Sequence, residues 1–215
     1  MSTAQQDDPC DGAARGADAD DVSRRLGGLG VWTRTTDNTI RFCERWLAKA
    51  SQYDDRSLDG AFDKFFSLFI AFNRLYWHLA FHAGLAYGHD TEQATSGFAV
   101  TVGVAKLAAA LDADRTHDDV RTLADLIAPG GGFYVASRRG IENVHRNQAL
   151  YRRLISRDSW ERVVGLLEYL YFVRCNMFHG HKDLDDAQLR IIRPSARCLE
   201  RVVLVALEKL RAEAG

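Results

Sequence analysis

Apolar residues recur at helical spacing along most of the chain, and no stretch shows the alternation of apolar and polar residues typical of a half-buried strand. Residues 35–50 begin with threonine and aspartate residues suited to capping a helix, and the apolar face that follows carries Ile40, Cys43, Trp46 and Leu47. Residues 58–86 are apolar on nearly every side, which predicts a central helix buried by several neighbours.

The later segments continue this helical pattern. Residues 92–111 carry small apolar residues at a weak helical period, and residues 116–128 predict a short helix that ends at Pro129 and three glycines. Residues 184–212 predict a long helix in which Pro194 causes a kink or a restart. The sequence shows no strand alternation, no internal repeats and no regular succession of strand and helix patterns. It therefore predicts an all-α fold.

Length and composition indicate one domain with a tail. A chain of 215 residues with 47% hydrophobic residues suits a single globular core. Residues 1–21 carry six Asp against one Arg among Gly, Ala and Ser, a composition that buries too little to order itself. We therefore expect a disordered acidic tail over residues 1–30 and a single helical domain over residues 31–215.

Charge and cysteine spacing narrow the function classes. The net charge of -1 and pI near 6.7 exclude a chain-wide polycation, so contact with nucleic acid requires a local basic patch.

Cys10, Cys43, Cys175 and Cys198 show no paired spacing, which favours reduced thiols. The start of the chain has no apolar leader, and no apolar run approaches the about 20 residues of a membrane span, so we expect a soluble cytoplasmic protein without membrane contact.

Residues 134–174 form a locally basic segment, with eight Arg, no Lys and four acidic residues. This composition predicts a surface for RNA, with the candidate contacts near the Gly-rich turn being Arg138, Arg139, Arg152 and Arg153. The alternative is a solvated helix face on which arginines pair with carboxylates one turn away.

Two histidine groupings resemble metal-binding patterns but lack the rest of a site. His78 and His82 lie four residues apart on one helix face, yet Leu79 stands where a metalloprotease helix has its glutamate, and aromatic neighbours favour packing. The H-x-H-x-D sequence at residues 179–183 follows no predicted strand, and a structural zinc ion there would need a distant fourth ligand. We therefore expect neither a metal nor another cofactor.

The stretch VRCNMFHG, residues 173–180, places an arginine inside an apolar helical stripe. Arg174 falls in the middle of the stripe, which is formed by Val163, Leu166, Leu167, Leu170, Met177 and Phe178. A guanidinium keeps its charge, so burying it is unfavourable unless a partner, a ligand or a wet cleft receives it. Gly180 suits the position after a helix end, so His179 lies at the fraying terminus and can share a cleft with Arg174. Alternatively, Arg174 reaches an acidic partner and His179 caps the helix.

Asn73 is a second polar residue in the middle of a core helix. A buried amide needs hydrogen-bond partners, so polar groups on two core helices predict a network in which Asn73 supports Arg174.

Two blocks of the sequence resemble the HEPN superfamily. VRCNMFHG resembles its R-x(4-6)-H signature, particularly in members with an RNNLFHG-like motif, and FIAFNRLY at residues 69–76 resembles their F-N-x-L-Y stretch. The resemblance spans residues 58–210 and departs from the family at Cys175, where a polar residue is usual.

The resemblance implies an up-and-down helical bundle that forms a homodimer, so that two R-x(4)-H motifs meet in one cleft. It also implies metal-independent RNA cleavage, often by toxins or defence effectors, and loss of catalysis in other members; an antitoxin or regulatory protein is a further implied partner. Carried to this chain, His179 is the acid/base group, Arg174 the phosphate ligand and Asn176 an orienting residue.

The chemistry of RNA cleavage accounts for such a pair of residues. Attack of a ribose 2′-OH on the adjacent phosphate needs a group that exchanges protons near neutral pH and a cation that holds the charged phosphorus centre. Histidine and arginine supply both. The sequence thus predicts a metal-independent endoribonuclease, and the alternative is a non-catalytic helical module that binds RNA or another protein.

Overall fold

The computed structural model describes residues 36–84, 89–135, 137–138, 141–178 and 186–214, and these residues are mostly helical. Their eight helices are α1 (Thr36–Ala50), α2 (Leu58–His82), α3 (Asp90–Val102), α4 (Val104–Leu111), α5 (Asp114–Ile127), α6 (Val144–Leu154), α7 (Ser159–Phe178) and α8 (Leu189–Ala214). Strands β1 (Ser137–Arg138) and β2 (Ile141–Glu142) form a short antiparallel pair. The all-α prediction is confirmed, and the predicted tail over residues 1–30 lies outside the described residues.

Helix α2 is the central element, and α1 and α8 pack against it. The hydroxyl of Ser57 caps its start by accepting a hydrogen bond of 3.1 Å from the N–H of Gly60. The helix ends at His82, earlier than the sequence predicts. Gly84 follows with φ of 71°, a left-handed conformation that commonly ends helices.

Residues 92–111, for which the sequence shows a weak helical period, belong to two helices. Helices α3 and α4 meet at an angle of 96°, and Gly103 between them has φ of 104°, which favours glycine. Within α3, Gln93–Gly97 form a π-helical turn that packs on both α2 and α7. This wide turn places the start of α3 between the two core helices.

Helices α6 and α7 approach each other closely. A Cβ atom at Gly165 of α7 would lie 2.6 Å from the Cβ atom of Arg153 on α6, so only glycine allows this packing. The carboxylate of Asp158 caps α7 by accepting a hydrogen bond of 2.9 Å from the N–H of Glu161. Helices α4 and α6 both pack against α7.

Helix α8 closes the core by packing on α1, α2, α4 and α5. Lys64 of α2 and Glu200 of α8 form an ion pair of 2.8 Å across one of these interfaces. A 3₁₀ turn, Asp186–Gln188, precedes the helix. The helix is continuous through Pro194, so this residue does not restart it.

Among the described residues, no single helix is long and apolar enough to cross a membrane, whereas α3 and α4 together, bent as they are, meet the length and composition test. Cys43, Cys175 and Cys198 are buried free thiols, as expected, and Cys10 lies outside the described residues. Burial raises the pKa of Cys43 to about 12, so this thiol stays protonated at neutral pH.

Candidate functional site

The motif VRCNMFHG lies at the end of α7. Arg174, Cys175 and Asn176 belong to the last turns of the helix. His179 and Gly180 lie outside the described residues, so the convergence of His179 with Arg174 stays a prediction.

Arg174 lies against aromatic rings from both core helices. Its guanidinium carbon is 5.6 Å from the ring centroid of Phe69 on α2 and 6.0 Å from that of Tyr171 on α7. The side chain is half-buried, and its Nη1 is 3.9 Å from the sulfur of Cys175. Aromatic faces attract a guanidinium and fix its plane.

The surroundings of Arg174 keep it charged. Burial acts to lower the pKa of Arg174, but its hydrogen bond to Cys175 and its electrostatic interactions with Tyr171 and Tyr76 outweigh burial and raise that pKa. A cation therefore persists against two aromatic rings of the core helices.

The apolar stripe around Arg174 is largely in the core. Its members on the earlier turns of α7 are fully buried, namely Val163, Leu166, Leu167 and Leu170. Met177 is partly buried and packs against the core.

A carboxylate bridges the two core helices through the hydroxyls of two tyrosines. Asp90 at the start of α3 accepts a hydrogen bond of 2.8 Å from the hydroxyl of Tyr76 on α2 and one of 2.7 Å from that of Tyr171 on α7. Burial first, and then Asp90, raise the pKa of both tyrosines, so both hydroxyls keep their protons. Sequence reasoning missed this bridge because Asp90 lies 14 positions from Tyr76 and 81 positions from Tyr171.

Asn73 lies on the face of α2 that also carries Phe69 and Tyr76, one helical turn from each. Its Oδ1 is buried and accepts no hydrogen bond from the described residues. Among those residues, the polar connection between α2 and α7 therefore runs through Tyr76, Asp90 and Tyr171 rather than through Asn73.

Asn176 contacts the chain that follows the Gly-rich turn. Its Nδ2 donates a hydrogen bond of 2.7 Å to the carbonyl oxygen of Val135. The N–H of Val135 donates to Oδ1 of Asn147 on α6, at 3.0 Å. Asn176 thus has a structural contact, in addition to the orienting role that the resemblance implies.

The basic segment divides into paired and exposed arginines. Arg153 forms ion pairs with Glu161, at 3.0 Å, and with Glu168, at 2.7 Å, and Arg146 lies 3.5 Å from Glu168. Arg152 is exposed, and its Nε donates to the carbonyl of Gln148 in its own helix. Paired arginines of this kind fit the solvated-face interpretation, whereas Arg152 remains directed to solvent.

The other two candidate RNA contacts lie at the short hairpin. Arg138 is the second residue of β1, where only its backbone is described. Arg139 lies outside the described residues. Their role in RNA binding stays a prediction.

A charged cavity of about 590 Å³ lies between α5 and α8, away from Arg174. Arg190, Arg193 and Arg197 line it from α8, at spacings that place them along one side of the helix. Arg197 bridges Asp55, at 2.9 Å, and Asp119, at 3.6 Å. Sequence reasoning missed this cluster because Asp55 lies 142 positions from Arg197 and Asp119 lies on a different helix, α5.

The described residues include no group of three or more His, Cys, Asp or Glu placed to hold a metal ion. The rings of His78 and His82 lie 4.4 Å apart, and Nδ1 of His78 is 3.2 Å from the hydroxyl of Thr39. The H-x-H-x-D sequence at residues 179–183 lies outside the described residues.

No protein-family model, curated protein or solved structure matches the chain. Function is therefore inferred from the residues around Arg174 and from the resemblance of the sequence.

Proposed function

We propose that this chain is a metal-independent endoribonuclease of the HEPN type, which cleaves RNA by attack of a ribose 2′-OH on the adjacent phosphate. The observation that supports it best is the position of Arg174, a charged side chain held against the rings of Phe69 and Tyr171 near the end of a core helix. A toxin or defence role in the cytoplasm, under an antitoxin or regulatory protein, is part of the same proposal.

Arg174 is the proposed ligand of the phosphate. Negative charge accumulates on the phosphoryl oxygens in the transition state, and a fixed guanidinium stabilises it with paired N–H donors. A side chain whose plane is already fixed by aromatic rings loses little freedom when RNA binds.

His179 is the proposed acid/base group. Its ordinary pKa lies close to neutrality, so one imidazole can take the proton of the 2′-OH and return a proton to the leaving 5′ oxygen. His179 follows Arg174 by five residues in the sequence, and we expect it to reach the same phosphate from the end of the helix. Asn176 is the proposed orienting residue, and no metal takes part.

The proposed enzyme is a homodimer in which two motifs share one cleft. Exposed aromatic residues near the end of α2, Trp77 at 45% exposure and Phe81 at 71%, supply apolar surface for a protein partner. Light scattering at tens of micromolar protein tests the assembly. A monomer would remove the composite cleft and contradict this part of the proposal.

The decisive experiment measures cleavage of total RNA by the wild type and two variants. Arg174→Ala and His179→Ala should each abolish cleavage, and EDTA should leave the wild type active. Because both groups act on one transition state, the double variant should be little worse than either single one. Wild-type products should end in cyclic phosphate.

Matched controls use exposed residues of the same types on α5. Arg121→Ala and His117→Ala should keep wild-type cleavage. Thermal stability and mass in solution must be compared for every variant, since a folded, dimeric and inactive Arg174→Ala is the informative result. An unfolded Arg174→Ala together with a fully active His179→Ala would contradict the catalytic proposal.

The second candidate is a non-catalytic module that binds RNA or another protein. The observation that favours it is Cys175, which replaces a usually polar residue and whose sulfur is the partner of Arg174 at 3.9 Å. In that case the wild type binds RNA or a protein, and no cyclic-phosphate products appear.

A further inference from the structure

Asp90 connects the two helices that carry the rings around Arg174. Each of its oxygens accepts one tyrosine hydroxyl, from Tyr76 at 2.8 Å and from Tyr171 at 2.7 Å. Tyr171 lies one helical turn before Arg174 and presents its ring to the guanidinium. We propose that Asp90 is a positioning residue for Arg174, acting through the hydroxyls of Tyr76 and Tyr171. This inference rests on the proposed ribonuclease function.

The direction of the hydroxyl protons gives the bridge its effect. A phenol has one proton to donate, and both tyrosines direct theirs to Asp90. Each phenol oxygen then has only lone pairs left for other neighbours. A guanidinium has only donors, and Arg174 lies 6.0 Å from the ring centroid of Tyr171 and interacts electrostatically with both tyrosines, so oxygens fixed in this way attract it. Without the carboxylate, the hydroxyls are free to rotate and can turn their protons toward the cation.

Packing holds the bridge in one arrangement. Tyr76 and Tyr171 are almost fully buried, with 2% and 1% exposure. The ring of Tyr76 meets Phe72 edge-on at 5.3 Å, and that of Tyr171 lies 6.5 Å from Phe69. Both rings therefore have little freedom other than rotation of the hydroxyl.

The π-helical turn in α3 fixes the position of Asp90 itself. Gln93–Gly97 pack on both α2 and α7, directly after the turn that begins with Asp90. Single π turns inside helices often occur at functional sites, where they change the direction of a side chain. The carboxylate is thus held at the point where α3 packs against the two helices that carry Tyr76 and Tyr171.

In this proposal Asp90 acts on the position of Arg174 and not on the substrate, so its effect should appear in the rate of the chemical step. A displacement of a catalytic group by about 1 Å can reduce the rate about 100-fold. Binding of RNA depends mostly on phosphate contacts spread over the surface and should change little. We expect Asp90→Asn to lower kcat by about 10- to 100-fold and to change KM by less than about twofold.

The matched control is Glu92→Gln, which removes the same charge from the same helical turn. Glu92 is exposed, and its side chain lies outside the bridge. This variant should keep wild-type kcat and KM. In a Tyr76→Phe/Tyr171→Phe background, Asp90→Asn should lower kcat by less than about twofold, because the hydroxyls that transmit its effect are gone.

A second measurement follows Arg174 without RNA. Its Nε is buried, so the Nε–Hε group should give a slowly exchanging NMR cross-peak, identified by its loss in Arg174→Lys. Asp90→Asn should shift this cross-peak and speed its exchange, and Glu92→Gln should do neither. If Asp90→Asn does not fold, Tyr171→Phe, which keeps the ring and removes one hydrogen bond, replaces it in both measurements.

The two measurements separate this inference from the proposed function. If the wild type cleaves no RNA but the Arg174 cross-peak moves in Asp90→Asn, the ribonuclease proposal fails and the effect of Asp90 on the position of Arg174 stands. A cross-peak that does not move, or wild-type kcat in a folded Asp90→Asn, overturns the positioning role.

Discussion

Asn176 on α7 donates a hydrogen bond of 2.7 Å to the carbonyl oxygen of Val135, 41 residues earlier in the chain. Because Asn147 on α6 accepts a hydrogen bond from the N–H of the same residue, side chains satisfy both backbone groups of Val135. The segment after the Gly-rich turn is thereby attached to α6 and α7 at once.

Loss of this attachment should destabilise the protein. Asn176→Ala leaves the carbonyl of the buried Val135 without its partner, which typically costs about 1–3 kcal/mol of unfolding free energy. Urea unfolding measures the difference. Gln148→Ala, an exposed change on α6, is the control and should stay within about 0.5 kcal/mol of wild type. Equal stability of the two variants would show that the hydrogen bond contributes nothing.

Arg197 should matter more for stability than its neighbour Arg193. Its guanidinium compensates Asp55 and the buried Asp119, and burial raises the pKa of Asp119. Arg197→Ala should lower the unfolding free energy by about 1–3 kcal/mol, because two poorly solvated carboxylates lose their counterion. Arg193→Ala, whose Nε is 3.7 Å from Asp55 and whose side chain is 39% exposed, should cost less than about 1 kcal/mol. The reverse order in thermal unfolding would contradict this ranking.

Stability should decrease in mild acid because of His78. Burial first, and then the nearby His82 and Arg74, lower the pKa of His78 from 6.5 to about 4, while Glu213 acts in the opposite direction. The unfolded chain therefore binds a proton between these values that the folded protein does not. The contribution is complete above pH 6.5 and is lost as the pH falls toward 4, by about 1–3 kcal/mol.

The variant His78→Gln tests this pH dependence. It keeps a polar group near Thr39 and should show a shallower loss of unfolding free energy between pH 6.5 and pH 4 than wild type. His117→Gln, an exposed change on α5, should follow the wild-type profile. Parallel profiles for His78→Gln and wild type would remove His78 as the cause.

The adjacent arginines of α6 should separate RNA binding from stability. Arg152→Glu should weaken RNA binding with little effect on the melting temperature, because Arg152 is exposed. Arg153→Ala should instead lower the melting temperature, because it leaves Glu168, at 16% side-chain exposure, without its closest cation. Fluorescence titration with RNA at low and moderate salt and thermal scans measure both. Affinity that does not change with salt, or with charge reversal at Arg138 and Arg139, would identify this segment as a solvated face.

Much of the fold follows from local sequence signals. The periodicity of Ile40, Cys43, Trp46 and Leu47 predicts α1, and the helix spans the described part of the predicted segment, Thr36–Ala50. The prediction for α2 fails only at its end, where the left-handed conformation of Gly84 outweighs the apolar pattern. The helical spacing of apolar residues indicates which side of a segment is buried, but it does not predict the backbone angle of a single glycine.

The site could be predicted less completely. Arg174 is visible in the sequence because a charge interrupts an apolar stripe on α7. Asp90 is not, since a lone aspartate at the start of a helix is typical of an ordinary first turn. Its role appears only in the folded structure, where the π turn after it packs on α2 and α7 and its carboxylate meets Tyr76 and Tyr171.

Helix α8 covers faces of α1, α2, α4 and α5, all of which precede it in the chain. During synthesis, these faces therefore leave the ribosome before the segment that shields them, and the face of α2 that α8 covers stays exposed until α8 is made. The nascent chain therefore exposes an apolar face while α3 to α7 are synthesised, and the core closes only after α8 has followed.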